Sequence, residues 1–309
     1  MSSISQPMVV SRSGMGLVRD YSELVKARVT TLIVVSAWCG FYFAAARSGV
    51  SSLSWTLLHA LLGIALVSGG TAGMNEVMER DLDARMRRTA RRPLVTQTMS
   101  VQHAAFVSIA MIVGGTIYLG FGCNALTAAL TFATSFIYLG FYTPLKTVSP
   151  ICTFIGAIPG AMPPVLGWTA VRGRLDWEAF ILFAILFFWQ FPHFHSIALL
   201  YRDDYQRAGI RMLPVVERSG RTTAEAIVFY SLALLAVTLS PTLLGMTGYF
   251  YFFSALVLGI WVLMAGMRIW RARLDPDRPE AKVMARNLLK TTVFYLPLLF
   301  AIMMLNIAS

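Results

Sequence analysis

The sequence predicts an all-α fold: a polytopic membrane protein, a bundle of nine transmembrane helices. Three observations carry this. Hydrophobic residues make up 57% of the 309 and charged residues only 13%, about half of the roughly 25% charge found in an ordinary globular domain. Nine apolar runs approach the ~20 residues that a helix needs to cross a bilayer. Lys and Arg gather in alternate connecting segments, as membrane topology demands and a nucleic-acid-binding face does not.

The runs are 29–47, 55–74, 104–122, 124–141, 151–171, 177–200, 223–245, 248–267 and 289–307. The first opens behind Lys26 and Arg28 in "DYSELVKARVTTL", and the second ends directly in an acidic stretch. The fourth and fifth are rich in Gly, Pro and Thr, which predicts close packing or a kink. The sixth closes with "FFWQFPHFHSIALL", where Pro192 predicts a bend. None shows the ten-residue alternation of an outer-membrane barrel.

Segments 1–28, 75–103, 142–150, 201–222 and 268–288, with Lys290, hold 23 of the 26 Lys and Arg. The opposite side has Arg47, Arg172 and Arg174. With an odd number of spans, this asymmetry puts the N-terminus in the cytoplasm and the C-terminus outside. Cys39, Cys123 and Cys152 lie in or beside apolar runs without metal-site spacing, so neither a disulfide framework nor a zinc site is indicated. Residues 1–28 lack a signal-peptide core and have only a weak transit-peptide pattern, which favours a bacterial inner membrane over an organelle. The expected organisation is a cytoplasmic segment, 1–28, followed by one nine-helix domain, 29–309.

Carboxylates do not follow from the rule for Lys and Arg, yet 13 of the 15 lie on the cytoplasmic side or at its edge. They concentrate at 75–83 and 201–209, directly after the second and sixth runs. That spacing hints at a four-helix pseudo-repeat. Between Asn75 and Arg92 the chain packs four carboxylates and six arginines. If the second helix continues, Asn75, Glu79 and Asp83 stand at i, i+4 and i+8, drifting only about 40° per step around the axis. Asp81 points to the opposite side. One amide and two carboxylates on one face form an oxygen-only ligand set suited to a hard cation such as Mg²⁺, which commonly shares its site with substrate phosphates. Arg80, Arg85, Arg87, Arg88, Arg91 and Arg92 are natural phosphate partners; for the distal ones, solvated salt bridges and topological anchoring are the plain alternative. An acidic face where an apolar helix meets a bundle interior is costly unless something binds there.

The second cluster, "FFWQFPHFHSIALLYRDDYQRAGIRMLPV", spans 187–215. On a continuing helix His193 and Asp204 lie within about 20° of one face, whereas Asp203 points about 100° away. Gln190, His193 and His195 are polar groups in an aromatic apolar run. Each histidine either makes one hydrogen bond within the bundle or meets a planar aromatic substrate or its metal, and the spacing does not choose between them. In "FYTPLK", Tyr142 and Lys146 sit at a cytoplasmic helix end. Lys146, Lys26 and Arg28 each read as membrane anchor or as phosphate ligand.

These stretches resemble the UbiA superfamily of intramembrane prenyltransferases, and in detail its heme-modifying branch. The likeness rests on "DYSELVKARV", "NEVMERDLDARMRRTARRPL", "YTPLK", "IPGAMPPVLGW" and "WQFPHFHSIALLYRDDYQRAGIRMLPV". It covers residues 20 to 216; beyond them only hydropathy matches. The first motif carries the superfamily, and "PHFH" with "DDYQRAGIRMLPV" singles out the branch. The sequence departs from the pattern at Glu79, where the superfamily has Asp, and at Asp203 and Asp204, adjacent rather than four apart. Ala27 and Arg211 stand where the branch usually has Pro.

The resemblance implies that the nine transmembrane helices stand around a central cavity that binds farnesyl diphosphate and heme b, with Mg²⁺ as cofactor. Asn75, Glu79, Asp83 and Asp204 would hold the metal. Lys26, Arg28, Arg80 and Lys146 would neutralise phosphate, and Tyr142 would donate a hydrogen bond. His193 or His195 would meet the heme, with Arg87 among the arginines left for its propionates and Asp203 and Tyr205 beside the substrates. The implied product is heme O for cytochrome oxidase, and the implied protein partners are heme A synthase or oxidase assembly factors. Rival readings are the same chemistry on another aromatic acceptor, a cation or heme transporter, and a non-catalytic heme chaperone. A transporter predicts carboxylates near mid-helix on broken helices. Here they gather at one membrane face beside arginines.

Overall fold

The computed structural model describes residues 14–273 and 276–307. Helix α1 (Gly14–Leu24) precedes nine helices long and apolar enough to cross a membrane among the described residues. They are α2 (Ala27–Ser48), α3 (Trp55–Met78), α4 (Val101–Gly122), α5 (Ala125–Leu145), α6 (Cys152–Arg172), α7 (Trp177–Leu200), α8 (Arg221–Leu243), α9 (Tyr249–Ala272) and α10 (Pro279–Leu305). The predicted all-α class and span count hold. Of the expected N-terminal segment, residues 1–13 lie outside the described residues.

Differences from the predicted runs have local causes. Helix α10 begins ten residues before the apolar run because Pro279 starts it at a first-turn position, where a missing N–H costs nothing. Its first turns are amphipathic, with Ala285 and Leu288 fully buried among exposed polar residues. Helix α5 contains a π-helical turn, Tyr138–Tyr142, one residue wider than the α-helix it interrupts. Helix α6 consists of Cys152–Ala161 and Pro163–Arg172, joined at Met162. Pro163 offers no N–H to the carbonyl of Pro159, which instead accepts from Met162 N at 3.3 Å. The Pro-rich run is thus interrupted at Met162.

The spans form a ring. Helices α2 to α5 pack in sequence order, α7 to α10 do the same, and α6 lies between the two sets, touching α2, α3, α5 and α7. Helix α10 meets α2 and closes the circuit. Backbones approach closely between α2 and α6. A Cβ on Gly40 would lie 1.9 Å from the Pro164 carbonyl oxygen, and one on Gly167 would lie 1.8 Å from that of Ala37. Small residues serve this purpose in membrane bundles. One core, with Trp168, Ile185, Leu234, Tyr251 and Leu299, fills the α6–α10 side; a second, with Ala37, Ile64, Ile112 and Leu166, fills the α2–α6 side.

The two ends of the ring differ in chemistry. At one, Arg172 and Arg174 pair with Asp176, whose Oδ2 also accepts from Trp168 Nε1, and Arg47 meets Glu178. The three cations outside the basic segments are thus gathered with the two carboxylates that share their side. All other described carboxylates belong to the opposite end.

Candidate active site

Helix α3 stops at Met78, and Glu79 leaves helical geometry (φ −98, ψ 7) before the single turn Arg80–Asp83. The predicted unbroken helix is therefore corrected. The spacing survives because Glu79 N bonds Asn75 O at 2.9 Å and Asp83 N bonds Glu79 O at 2.8 Å. Asn75, Glu79 and Asp83 are consequently all buried, at 1%, 6% and 1% exposure. Asp81 points outward and pairs with Arg80, so Arg80 is turned away from the face it was expected to serve.

Each of the three oxygen donors meets a cation from a different part of the chain. Lys26 Nζ donates to Asn75 Oδ1 at 2.7 Å. Lys146 Nζ lies 2.6 Å from Glu79 Oε1, and Arg92 pairs with Asp83 Oδ2. Lys26 achieves this from a left-handed backbone (φ 46) linking α1 to α2, a conformation costly for a residue with a Cβ. Burial, with Arg92 and Lys146 nearby, lowers the Lys26 ammonium to about 7. Burial also raises the Asp83 carboxyl against the pull of Arg92. Asn75 Nδ2 donates to Thr143 Oγ1 at 3.1 Å, and that hydroxyl donates to Tyr138 O at 3.0 Å, tying the amide to the π-turn. The Lys146 ammonium also lies 4.5 Å above the Tyr142 ring. Gly156 makes room for that ring, since a Cβ there would stand 2.6 Å from it.

The second acidic segment is built in the same way. Helix α7 ends at Leu200, Tyr201 breaks it (φ −108, ψ 24), and a short helix, Arg202–Ala208, runs to Gly209 in the left-handed region (φ 75). His193 and Asp204 therefore do not share one continuous helix face, contrary to expectation. The two segments nonetheless meet: Met86, with Leu82 against it, packs on Ala198, Tyr205, Ala208 and Ile210. Asp204 accepts the Arg88 backbone N–H at 3.3 Å and pairs with Arg207. Asp203 faces outward to Lys282 at 2.8 Å, whose hydrogen bond holds its carboxyl below the usual range. Tyr205 is buried, which raises its phenol; Arg88, Lys146 and Glu79 are among the charges it feels. Arg211 N donates to Lys146 O at 2.7 Å, a bond that proline could not make. A cavity of about 420 Å³, lined by Arg87, Arg88, Leu200, Tyr201, Asp203 and Asp204, opens between the segments.

His193 Nδ1 lies 3.0 Å from Thr292 Oγ1, and its ring stacks on Trp189 at 4.6 Å. His195 is buried near Phe191. Two positions apart on a helix, the rings leave it about 160° apart, so they do not face one ligand together. Gln190 crosses to α6, donating to Ala157 O at 3.0 Å.

The structure thus assembles Asn75, Glu79, Asp83, Lys26, Lys146 and Tyr142, with Tyr205 close by. It leaves Arg28 exposed at the start of α2 and Arg87 at the cavity rim. Asp204 is bound by arginines rather than joined to the first ligand set. Among the described residues no three His, Cys, Asp or Glu side chains come close enough together to hold a metal ion by themselves. The donors that fit a hard cation are one amide and two carboxylates, all oxygen, on one buried face. Sequence reasoning did not single out Arg92, Thr143 or Glu76. Arg92 is one arginine in a run, and Thr143 gives no signal. Glu76 lies 100° from Asn75 on a helical wheel, yet it is completely buried.

A nine-span ring with paired acidic segments at one face, cations converging on them, defines an intramembrane prenyltransferase architecture. The chain belongs to the UbiA prenyltransferase family, whose model matches residues 33–290. It is 64% identical over 307 residues to the protoheme IX farnesyltransferase of Koribacter versatilis (strain Ellin345), covering 99% of each chain. Its fold is similar to that of a digeranylgeranylglyceryl phosphate synthase, with a TM-score of 0.73 at 16% identity over 94% of this chain and 98% of that one. It is also similar to a UbiA homologue from Archaeoglobus fulgidus bound to GPP and Mg²⁺, with a TM-score of 0.62 at 15% identity over 92% and 99%.

Proposed function

We propose that this protein transfers the farnesyl group of farnesyl diphosphate to a vinyl group of heme b, with addition of water, giving heme O. The observation that carries the reading is the buried face of Asn75, Glu79 and Asp83, each oxygen donor held by its own cation. The closeness of the chain to the Koribacter versatilis farnesyltransferase over its whole length supports the choice of acceptor.

Asn75, Glu79 and Asp83 would hold Mg²⁺, which supplies Lewis-acid stabilisation of the departing diphosphate. Lys26, Lys146 and Arg92 bring positive charge to the same place and are positioned to take the diphosphate oxygens. Tyr142, whose ring lies beneath the Lys146 ammonium, orients it. The allylic C–O bond breaks, its electron pair leaving with the diphosphate, and the vinyl alkene supplies the pair for the new C–C bond. Water then adds to the resulting cation and loses a proton, leaving a hydroxyethylfarnesyl group. No covalent enzyme nucleophile is required. His193, fixed at Nδ1 by Thr292 and stacked on Trp189, has its other ring nitrogen for the heme; among metal-binding histidines such a second partner is usual. Arg87 and Arg88, at the rim of the cavity beside Tyr201, suit the propionates.

The reading puts the protein in a bacterial inner membrane with its N-terminus cytoplasmic and C-terminus periplasmic. Residues 29–309 form the catalytic domain, and the matching helix breaks at Glu79 and Tyr201 are the trace of a four-helix repeat. Handing heme O to heme A synthase or an oxidase assembly factor is the onward step it anticipates. Incubation of the purified protein with heme b, farnesyl diphosphate and Mg²⁺ tests it. An adduct with the mass of heme O is expected; its absence with both substrates bound would refute the assignment.

A further inference from the structure

Glu76 is completely buried, and neither of its carboxylate oxygens has a hydrogen-bond partner. It is the only described Asp or Glu side chain with both oxygens in that condition. Ser108 Oγ, on the neighbouring helix α4, is likewise buried without a partner and donates nothing to it. A carboxylate left this way inside a bundle is strongly unfavourable unless it takes up a proton or a cation comes to it. The charges that act on Glu76 are Arg92, first in strength, then Lys26 in attraction and Asp83 and Glu23 in repulsion. Arg92 already pairs with Asp83 Oδ2, one of the oxygens assigned to the metal. A divalent ion held by Asp83 would compete with the guanidinium for that oxygen and repel it, and so would displace Arg92 from it.

We propose that Glu76 is a positioning residue that receives Arg92 when Asp83 turns to the metal, holding the guanidinium beside the site rather than releasing it. The proposal rests on Asp83 being a metal ligand. Glu76 sits one position beyond Asn75 on the last turn of α3, close enough to Arg92 to feel its charge. Arginine has five donors in a planar fork and can pass from one carboxylate to another without leaving either unpaired. Without Glu76, Arg92 stays on Asp83 and opposes the incoming ion. Glu76 thus raises metal affinity without touching the metal or the substrate.

Mn²⁺ binding to the full-length protein in detergent, followed by electron paramagnetic resonance with inorganic pyrophosphate present, tests this. Glu76→Gln is expected to weaken Mn²⁺ binding about tenfold, a Coulomb effect across a few ångströms of bundle interior, with turnover at saturating Mg²⁺ nearly unchanged. Glu76→Asp should recover part of the loss. In an Arg92→Gln background Glu76→Gln should change affinity by less than about twofold, because the two residues act as one unit. Wild-type affinity in Glu76→Gln, an equal loss in both backgrounds, or a lowered melting temperature that makes the residue structural would each overturn the proposal. Asp83→Asn separates the two levels. If it keeps wild-type affinity, the metal assignment falls and the Glu76 proposal with it. If it loses affinity while Glu76→Gln does not, only the latter falls.

Discussion

Asn75, Glu79 and Asp83 are the residues on which the proposed chemistry depends, and their common face follows from a four-residue spacing that any helical reading gives. Glu79→Ala and Asp83→Ala should each lower Mg²⁺-dependent turnover by about a hundredfold or more, the scale of losing one preorganised electrostatic group, while the variants remain folded in detergent. Steady-state assays across a Mg²⁺ range, with circular dichroism alongside, make the check; full activity in either variant counts against the ligand assignment. The two histidines separate in the same way. His193→Ala should weaken heme binding about tenfold in an absorbance titration, as loss of an oriented ligand or its support does. His195→Ala, off that face, should leave the titration curve in place, and identical curves for all three proteins would remove His193 from the heme site. What the sequence could not reveal here is pairing. Lys26, Lys146 and Arg92 stand far apart along the chain, and Arg92 looks like each of the five other arginines beside it until the loop folds back on Asp83.

At the level of elements, hydropathy found every span because exclusion from water acts on each helix separately. It missed the two breaks that shape the site. Glu79 and Tyr201 leave the helix without Pro or Gly beside them, so local propensity gives no warning. The burial of Met86 and Leu82 against the Ala198–Ile210 stretch accompanies both departures. That is why Asp204 was placed wrongly on a continuing α7, whereas Asp83 kept its place through two preserved backbone bonds. The joint between α6 and α7 is similarly tertiary. Gln190 reaches the carbonyls of Ala157 and Leu186 because Gly160 has no side chain, and a Cβ there would lie 2.0 Å from Gln190 Oε1. Gly160→Ala should displace the amide and cost about 1–3 kcal/mol, read as a lower melting temperature in detergent. An unchanged melting temperature would mean that the amide is not bracing the joint.

For the whole molecule, the ring of nine spans places both acidic segments at the same end and the Asp176–Glu178 cluster at the other. The proposed topology, read from the distribution of Lys and Arg, has the first end in the cytoplasm. A reporter that is active only in the periplasm, fused after Ser309, should therefore be active, and one in the 201–222 segment inactive; the reverse pattern would invert the orientation and put the diphosphate site on the wrong side for a cytoplasmic substrate. The amino-acid sequence alone determined the class, the spans, the charge asymmetry and the common face of Asn75, Glu79 and Asp83, because burial in lipid and helical periodicity are local in the chain and leave a repeating pattern. The tertiary structure decided which cation meets which oxygen, where α3 and α7 break, and that Glu76 is left bare, because those follow from contacts between residues nine to more than a hundred positions apart, whose energies no local pattern encodes.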